Sequence, residues 1–469
     1  MINKIVLISF LSISILNADF FYFKGKKKEL TQIKNRDYNS NTIYYQTQQG
    51  KRLGVKDQLI ISFSNKSIKE YIQTEYSLKE IKQLSNTMYL YQTPSKEETL
   101  DIANDLNKVV GIKFAQPDFL KKKTNRSYSY DDPLFDISWH LRNRNQLSNI
   151  PMQRGADINV LDAWDYTKGK GVVVAVYDEG IDINHEDLRE NIIGFENFND
   201  PDTTFPSPAS QSGIWHGTSC AGLVAALEND FGSVGVAPQS KILAVRYADS
   251  SISDDIRAYQ WMSEHGADII TNSWGSYENM DAYNEIFKDL SMNGRNGKGT
   301  IIIFAAGNDN YNLDNPAYND ESESEYVLSI AASTEIDEIA TYSNHGSSID
   351  FAAPGSAYGT IVTTDATGRS GTNSDNYTTN FSGTSAAAPI VAGAVALMLS
   401  ENPKLTREDV IEILKYTARK IGKYNYDING RNDHAGYGRI DAGRAVEIAH
   451  RYGTTNLKSY AQKMFQTLL

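Results

Sequence analysis

Cysteine is almost absent from this sequence, because Cys220 is the only one in 469 residues. A single cysteine excludes an intramolecular disulfide framework and a cysteine-based zinc cluster. Long apolar runs are also missing after the first residues, since no later stretch approaches the roughly 18 apolar residues that a membrane span needs. A net charge of −12 argues against wholesale nucleic-acid binding. We therefore expect no nucleic-acid partner and no membrane anchor.

The composition is that of a globular protein, with 40% hydrophobic and 22% charged residues. Charge is unevenly distributed along the chain. Residues 19–126 contain 20 Lys+Arg and 12 Asp+Glu, a balance of +8, whereas residues 127–469 contain 25 Lys+Arg and 46 Asp+Glu, a balance of −21. The opposite signs indicate two units that attract each other, although chance surface composition would give the same pattern.

The N-terminus has the pattern of a secretory signal peptide. Lys4 precedes a short apolar run over residues 5–16, and Ala18 is a small residue suited to cleavage. We therefore predict a signal peptide at residues 1–18 and a secreted or periplasmic protein. Residues 19–56 are rich in Lys, Asn, Gln and Tyr, which predicts a loosely ordered polar lead-in.

A small α+β domain is predicted over residues 57–126. Short runs of β-branched and aromatic residues predict strands, and helical spacing separates them. The predicted strands are 58–63, 87–92 and 110–114, and the predicted helices are 65–83 and 97–109. The domain ends in a basic segment, KKKTNR (121–126), which we expect to be an exposed linker.

Residues 127–449 alternate between short apolar runs and helical stretches, which predicts an α/β unit with a buried, mainly parallel sheet flanked by helices on both faces. The predicted strands are 172–177, 241–246, 268–271, 300–304 and 327–331, and the predicted helices lie near 217–227, 254–264 and 281–293. The remaining residues, 450–469, are predicted to be a polar helix or tail.

Three segments carry residues suited to nucleophilic catalysis. Asp178 follows a predicted strand, His216 begins a small-residue helix, and Ser385 begins an apolar helix that tolerates Pro389 if it lies in the first turn. Taken singly, the three are a turn residue, a structural histidine and a helix N-cap. Together they supply a nucleophile, a base and a carboxylate that orients the base. Strand ends and helix starts meet at one edge of such a sheet, so we expect these residues to lie together.

The local motifs DEGID (178–182), HGTS (216–219) and GTSAAAP (383–389) resemble the three signatures of the subtilisin-like serine proteases. The resemblance covers about residues 130–449. Residues 57–126 resemble the family's inhibitory propeptide. Within the family the kexin and furin branch is most similar, through DPLF (132–135), WHL (139–141), GADINVLD (155–162) and HEDL (185–188). The resemblance implies a subtilisin-like three-layer α/β fold preceded by the small α+β propeptide domain.

Further site residues are implied by this resemblance. Asn308 in AAGND (305–309) matches the asparagine that stabilises the oxyanion, and SWG (273–275) and AAG (305–307) match the edges that bind a substrate main chain. Acidic residues match positions that select basic side chains, although each would also fit a solvated surface. The expected substrate-binding residues are Ser273, Trp274, Gly275, Glu278, Asp314 and Glu179.

The resemblance also implies a structural calcium site. Carboxylate, amide and carbonyl oxygens suit a hard cation that takes 6–8 oxygen ligands. The alternative is that these residues only form turns. The expected side-chain ligands are Asp132, Asp187 and Asn229, and the expected carbonyl ligands are Ala226, Phe231 and Ser233.

Two features depart from the kexin branch. That branch carries a β-sandwich domain after the protease, and this sequence ends about twenty residues after Ala449. The branch also has disulfides, which one cysteine cannot form. Cys220 lies one helical turn after His216, and we expect it to be a small buried residue.

The sequence therefore predicts a secreted serine endopeptidase, made as a self-processing zymogen, which acts on peptides or proteins and prefers Lys or Arg at P1, the residue before the cleaved bond. Its propeptide would act as an intramolecular inhibitor, and cleavage is expected after Arg126 or Lys123. We expect a monomer. The alternatives are a broad-specificity subtilisin-type protease and a non-catalytic binding protein on the same scaffold. A carboxylesterase is disfavoured because GTSAA lacks the second glycine of its motif.

Overall fold

The computed structural model describes residues 19–23, 26–33, 42–47, 52–121, 132–198, 214–247 and 251–452. The predicted signal peptide, most of the basic linker and the last seventeen residues of the tail lie outside these ranges. The chain divides into two compact units, Met1–Tyr128 and Ser129–Leu469.

The first unit contains two antiparallel sheets. A five-stranded sheet has the order β1-β2-β3-β4-β9, and a four-stranded sheet has the order β6-β7-β5-β8. Its strands are β1 Asp19–Phe23, β2 Lys26–Ile33, β3 Ile43–Thr47, β4 Arg52–Val55, β5 Gln58–Phe63, β6 Lys79–Gln83, β7 Met88–Gln92, β8 Ile112–Pro117 and β9 Leu120–Lys121; its helices are α1 Lys69–Glu75 and α2 Thr99–Leu106.

Two sequence-based expectations for this unit are wrong. The described part of the lead-in is not loosely ordered, because Leu30, Tyr45 and Val55 of its strands are buried against Leu100 of α2. The predicted helix 65–83 ends at Glu75, and its second half is strand β6. The other predicted strands and the helix α2 of the four-stranded sheet region are confirmed within a few residues.

The second unit is built on a seven-stranded parallel sheet with the order β11-β12-β10-β13-β14-β15-β16, beside a two-stranded hairpin. This confirms the predicted α/β class. The strands are β10 Val173–Asp178, β11 Ile192–Asn197, β12 Lys241–Arg246, β13 Ile269–Asn272, β14 Ile301–Ala305, β15 Leu328–Ser333, β16 Ile349–Pro354, β17 Ile361–Thr364 and β18 Tyr377–Phe381.

Helices cover both faces of the sheet, which gives three layers. On β10, Val174 and Val176 belong to the core beneath α4 and α7, whereas Ala175 and Tyr177 belong to the core beneath α5 and α6. The helices are α3 Val160–Trp164, α4 Trp215–Ala225, α5 Ile252–Glu264, α6 Asp281–Gly297, α7 Thr384–Glu401, α8 Arg407–Thr417 and α9 Ala442–Arg451.

The helix α7 is the one described helix that is long and apolar enough to cross a membrane by length and composition. Nearly all of its residues are buried in the core of the second unit, so its apolar character is explained by packing.

Strand order places a site at the carboxyl ends of the central strands. The first strand, β10, has β12 on one side and β13 on the other, so the chain changes direction across the sheet at β10. Open α/β sheets bind ligands at such switch points. The β10 residues Asp178 and Tyr177 pair with Arg246 and Asn272, which brings Asp178 and the segment after Asn272 to the same edge.

Candidate active site

Asp178 and His216 form a hydrogen-bonded pair at this edge. Asp178 ends β10 and is fully buried. Its Oδ1 accepts the main-chain N–H of Glu179 at 2.8 Å and lies 2.8 Å from Nδ1 of His216. Because the carboxylate accepts the Nδ1 proton, the neutral ring has its acceptor nitrogen at Nε2.

The close approach of α4 to β10 depends on Gly217. A Cβ atom at this position would lie 2.3 Å from the carbonyl oxygen of Gly180 and 2.9 Å from Cβ of Asp178. His216 itself is held between the rings of Trp215 and Phe381, each 5.6 Å away between centroids. The small residue after the histidine is therefore what allows the pair to form.

The electrostatic surroundings favour a basic His216. Burial lowers its pKa, but the charge of Asp178, the hydrogen bond to that carboxylate and the charge of Glu179 together raise the pKa of His216 above its usual range. Glu179 is affected in turn: the residue as a whole is exposed, but partial desolvation of its carboxyl group and the charge of Asp178 raise the pKa of Glu179. Such shifts occur where acids and bases are arranged for catalysis.

Ser385 is the second residue of α7, and 9% of its surface is exposed. Its Oγ donates to the carbonyl oxygen of Ser273 at 3.3 Å. No hydrogen bond joins Ser385 to His216 in the part of the chain that the structure describes. Catalytic hydrogen bonds in free enzymes are often loose and tighten only when substrate binds.

Pro389 lies five residues after Thr384, in the second turn of α7, so the expectation that it occupies the first turn is wrong. Proline has no N–H, which leaves the Ser385 carbonyl without its helical partner. The hydroxyl of Ser273 donates to this carbonyl at 3.0 Å, and Sγ of Cys220 lies 3.5 Å from it. Cys220 is fully buried, as predicted.

The Asn308 side chain is held in one orientation by Thr384. The amide oxygen of Asn308 accepts both the main-chain N–H of Thr384 at 2.9 Å and its hydroxyl at 3.0 Å. Among the described residues the amide nitrogen has no acceptor, so it can donate beside Gly383, whose added Cβ would meet it at 3.3 Å. Thr384 was not singled out from the sequence, although it lies within the serine motif.

The predicted substrate edges lie at the same end of the sheet. Ser273 contacts Ser385 directly. Gly275 is exposed, and a Cβ there would lie 2.4 Å from Oδ2 of Asp320, so a larger residue would displace that carboxylate. Trp274 is different: its ring packs edge-on against Tyr177 and Phe304, and Nε1 donates to the Tyr177 carbonyl at 3.1 Å. The side chain of Trp274 is therefore partly buried and packs against the core beneath α5 and α6.

The three acidic specificity candidates differ in surroundings. Glu278 is exposed and pairs through a β-bridge with Asn319. Glu179 is exposed and follows the buried Asp178. The carboxylate of Asp314 already accepts two hydrogen bonds from Ser347, one from its N–H at 2.9 Å and one from its hydroxyl. The hydrogen bond from the hydroxyl lowers the pKa of Asp314.

Two buried carboxylates behind the substrate edge were not predicted. Glu321 accepts the N–H of Ser276 at 2.9 Å and its hydroxyl at 2.5 Å, and Asp320 accepts the N–H of Tyr277 at 3.3 Å. Burial raises the pKa of both carboxyl groups. Nothing in the acidic run that contains them distinguishes these two residues from surface acids.

The expected calcium ligands partly assemble. Asp132 and Asp187 are both buried. The main-chain N–H of Asn229 donates to Asp132 at 3.0 Å, and the side-chain amide of Asn229 donates to Asp187 at 2.8 Å. The N–H of Ser233 donates to Asp187 at 3.2 Å. The carbonyl of Ala226 accepts the N–H of Gly235 at 3.0 Å. Its role as a ligand stays a prediction, as does that of Phe231.

The chemistry of this cluster fits a hard cation. Burial raises the pKa of Asp132 to about 6 and that of Asp187 to about 8. Among the described residues, the buried Oδ2 of Asp132 and Oγ of Ser233 have no hydrogen-bond partner. Two neighbouring buried carboxylates, one of which has an oxygen atom without a partner, are stabilised by a bound cation, so the residues present suit Ca²⁺.

A doubly wound parallel sheet with an Asp–His pair at its switch point and a serine at the start of the central helix is the arrangement of a serine hydrolase. More narrowly, the profile of the subtilase family, Peptidase S8, matches residues 169–438. The chain belongs to this family of serine proteases.

Individual relatives agree with that assignment. A calcium-dependent protease of Trichormus variabilis is 32% identical over 426 residues, covering 83% of this chain and 62% of the relative. Kexin of Saccharomyces cerevisiae is 33% identical over 362 residues, covering 72% of this chain and 42% of kexin, which supports the kexin branch. The solved structure of a protease from Pseudoalteromonas arctica has a TM-score of 0.56 at 31% identity, over 68% of this chain and 99% of its own. The chain thus spans less than two thirds of the two curated relatives.

Proposed function

We propose that this protein is a serine endopeptidase in which Ser385 is the nucleophile, His216 the general base and then acid, and Asp178 the residue that orients His216. The observation that carries the proposal is the 2.8 Å contact between Nδ1 of His216 and the buried Asp178, at the edge where α7 presents Ser385. This contact leaves Nε2 of His216 as the atom that accepts the serine proton.

The proposed reaction follows from these positions. Ser385 Oγ turns from the Ser273 carbonyl toward His216 and attacks the peptide carbonyl as its proton passes to Nε2. The oxyanion receives hydrogen bonds from the free amide of Asn308 and from the N–H of Ser385 at the start of α7. His216 then protonates the leaving amine, and water hydrolyses the acyl-enzyme by the same steps.

We propose that the substrate is a peptide or protein chain with Lys or Arg at P1. Glu278 is exposed beside the substrate edge, and Glu179 adjoins the catalytic pair, so both carboxylates are available to a basic side chain. Asp314 is a weaker candidate because Ser347 already occupies it. The alternative is a protease with broad specificity, whose choice of P1 residue would not depend on these acidic residues.

We propose that unit 1 serves as a propeptide that inhibits unit 2 and is removed by self-cleavage. The support is the basic segment KKKTNR (121–126) just before the boundary between the two units, near residue 128. The cleavage points proposed after Lys123 and Arg126 lie outside the described residues. Secretion is proposed from the sequence of residues 1–18 alone.

We propose that Asp132, Asp187 and Asn229 hold a calcium ion together with nearby carbonyls and Ser233. The ion would supply positive charge that keeps both buried carboxylates ionised and fixes the loop 226–233. A relative named calcium-dependent protease supports this proposal.

The experiment is to express the full chain with Ser385→Ala and to compare N-terminal sequence and intact mass with the wild type. We expect the wild type to begin after Lys123 or Arg126 and Ser385→Ala to keep unit 1. Ser400→Ala, near the other end of the same helix, is the matched control and should mature normally. If Ser385→Ala is cut at the same place as the wild type, another protease performs the maturation.

A direct test of the nucleophile accompanies the processing test. A fluorophosphonate should add once to the wild type and to Ser400→Ala, with Ser385 as the modified residue. Absence of labelling and of peptide hydrolysis in a correctly folded, matured wild type would favour the non-catalytic binding protein.

A further inference from the structure

Besides Thr384, one buried residue, Asn344, makes several hydrogen bonds to the loop that carries Asn308. This asparagine lies between β15 and β16 and is fully buried. Its side-chain nitrogen donates to the carbonyl of Ala306 at 2.8 Å, and its own N–H donates to the carbonyl of Gly307 at 3.0 Å. Both of these carbonyls come just before Asn308.

Asn344 also holds the residues that follow Asn308. Its side-chain oxygen accepts the N–H of Asp309 at 3.1 Å and the N–H of Tyr311 at 2.8 Å. Four main-chain groups, two on each side of Asn308, are therefore satisfied by one residue. The fit is close, since a Cβ on Gly307 would lie 2.3 Å from the Asn344 side-chain nitrogen.

The same side chain reaches the segment that follows the substrate edge. The Asn344 nitrogen donates to the Tyr277 hydroxyl at 3.1 Å, and that hydroxyl donates to Asp309 at 2.5 Å. Tyr277 lies two residues after Gly275 and has a left-handed backbone, with φ of +56°. A bulky residue keeps such a conformation only where its surroundings require it.

We propose that Asn344 is a positioning residue for Asn308, which it holds at the place where the oxyanion forms, with Tyr277 as its link to the substrate edge. The proposal rests on the proposed role of Asn308. An oxyanion donor acts through preorganised geometry, so a displacement of about 1 Å in its loop lowers the rate about 10²-fold without removing any substrate contact. Loss of Asn344 should therefore lower kcat more than it raises KM.

The test compares Asn344→Ala, Asn308→Ala and the double variant. Rates are measured on peptide nitroanilides with Arg, Lys, Leu or Phe at P1, using the one that the wild type cleaves best, and are normalised to the fluorophosphonate-reactive fraction. We expect kcat to fall about 10²–10³-fold for Asn308→Ala and about 10–100-fold for Asn344→Ala, with KM changed less than about twofold. In the double variant, Asn344→Ala should add less than about threefold, because its effect passes through Asn308.

The matched control is Asn143→Ala. Asn143 is also buried, donates its amide to two carbonyls, those of Ala156 and Glu335, and accepts one main-chain N–H, that of Asn145. Its loss should lower stability without changing kcat. If Asn344→Ala does not fold, Tyr277→Phe tests the proposal instead, because it removes only the hydroxyl that links Asn344 to the substrate edge. Made in the wild type, Tyr277→Phe should lower kcat about 3-fold; made in Asn308→Ala, it should lower kcat no further.

The outcomes separate the two proposals. Suppose that Asn308→Ala lowers kcat and Asn344→Ala does not. Suppose instead that Asn344→Ala lowers kcat by the same factor whether or not Asn308 is present. In either case Asn344 has no positioning role, and the proposed function stands. If neither Asn308→Ala nor Ser385→Ala lowers activity, the proposed function itself fails and the role of Asn344 falls with it.

Discussion

Ser273 and Ser385 exchange two hydrogen bonds across the site: the Ser385 hydroxyl donates to the Ser273 carbonyl at 3.3 Å, and the Ser273 hydroxyl donates to the Ser385 carbonyl at 3.0 Å. The second bond exists because Pro389 provides no N–H to that carbonyl. The substrate edge and the nucleophile are thus held to each other by a bond that replaces a missing helical one.

Ser273→Ala should lower stability by about 1–3 kcal/mol, because it leaves the buried Ser385 carbonyl with only the Cys220 thiol, a weak donor 3.5 Å away. The measurement is urea unfolding in the Ser385→Ala background, which keeps this carbonyl and prevents self-digestion. Ser333→Ala is the control. Ser333 is also buried, but its hydroxyl has no partner within the described ranges, so its loss should cost less than about 1 kcal/mol. Equal costs for the two variants would show that the bond contributes nothing.

The pH profile of kcat/KM should depend on Glu179. The charge of Glu179 is one of the causes that raise the pKa of His216, and the base works only when neutral. Activity should therefore be lost as pH falls through a value above the usual histidine range, and Glu179→Gln should move this limb toward lower pH. Glu278→Gln, an exposed acid that is not among the causes of the shift, should leave the limb in place. An unchanged limb in Glu179→Gln would contradict the assignment.

Glu278 and Asp314 should contribute unequally to substrate choice. Glu278→Gln should lower kcat/KM about 10–100-fold for an Arg nitroanilide and leave a Leu nitroanilide nearly unchanged, since a charge-assisted bond contributes about 1.5–3 kcal/mol. Asp314→Asn should change the ratio less than about threefold, because Ser347 occupies that carboxylate. An Arg-to-Leu ratio that stays constant in both variants would establish the broad-specificity alternative.

Calcium should stabilise the second unit. At about 100 times Kd a bound ion adds about 2.7 kcal/mol, so Tm of Ser385→Ala should rise by several degrees in Ca²⁺ relative to a chelator. Asp187→Asn removes a buried carboxylate of the cluster and should abolish this rise. Mg²⁺ is the control ion, because its preferred shell is smaller and octahedral. A rise that persists in Asp187→Asn would place the ion elsewhere.

The sequence predicted the α/β class of the second unit and five of its strands because those strands are mainly apolar and buried. The segments around Asp178, His216 and Ser385 are local motifs, and the parallel sheet brings their ends together by topology. The first unit was harder to predict. In Lys26–Ile33 and Ile43–Thr47 the buried residues Leu30 and Tyr45 stand among polar or half-buried residues, and their apolar partner, Leu100, is far away in sequence.

Residues whose role depends on distant partners were not predictable. Asn344 is far from Asn308 in the sequence and has no motif of its own. In the sequence Asp320 and Glu321 look like surface acids, and only the structure shows that they accept the main-chain N–H groups of Tyr277 and Ser276. The hydrogen bonds that Asp314 accepts were not predictable for the same reason, since Ser347 is 33 residues away. Local sequence shows which groups are available, whereas long-range hydrogen bonds determine which remain free to bind a substrate.

His140 should make the protein sensitive to acid. It is fully buried, and within the described chain neither ring nitrogen has a hydrogen-bond partner; burial lowers the pKa of His140 to about 3. The unfolded state takes up a proton near pH 6.5, whereas the folded state does not until about pH 3. The stability that the neutral ring contributes is therefore complete above about pH 6.5 and falls by about 1.4 kcal/mol per pH unit below it. His140→Leu keeps an apolar side chain there and should remove this slope. Urea unfolding of Ser385→Ala with and without His140→Leu, at about pH 7, 6 and 5, should show the free energy of the His140 protein falling relative to that of the His140→Leu protein as pH falls. A constant difference would mean that His140 is not the group responsible.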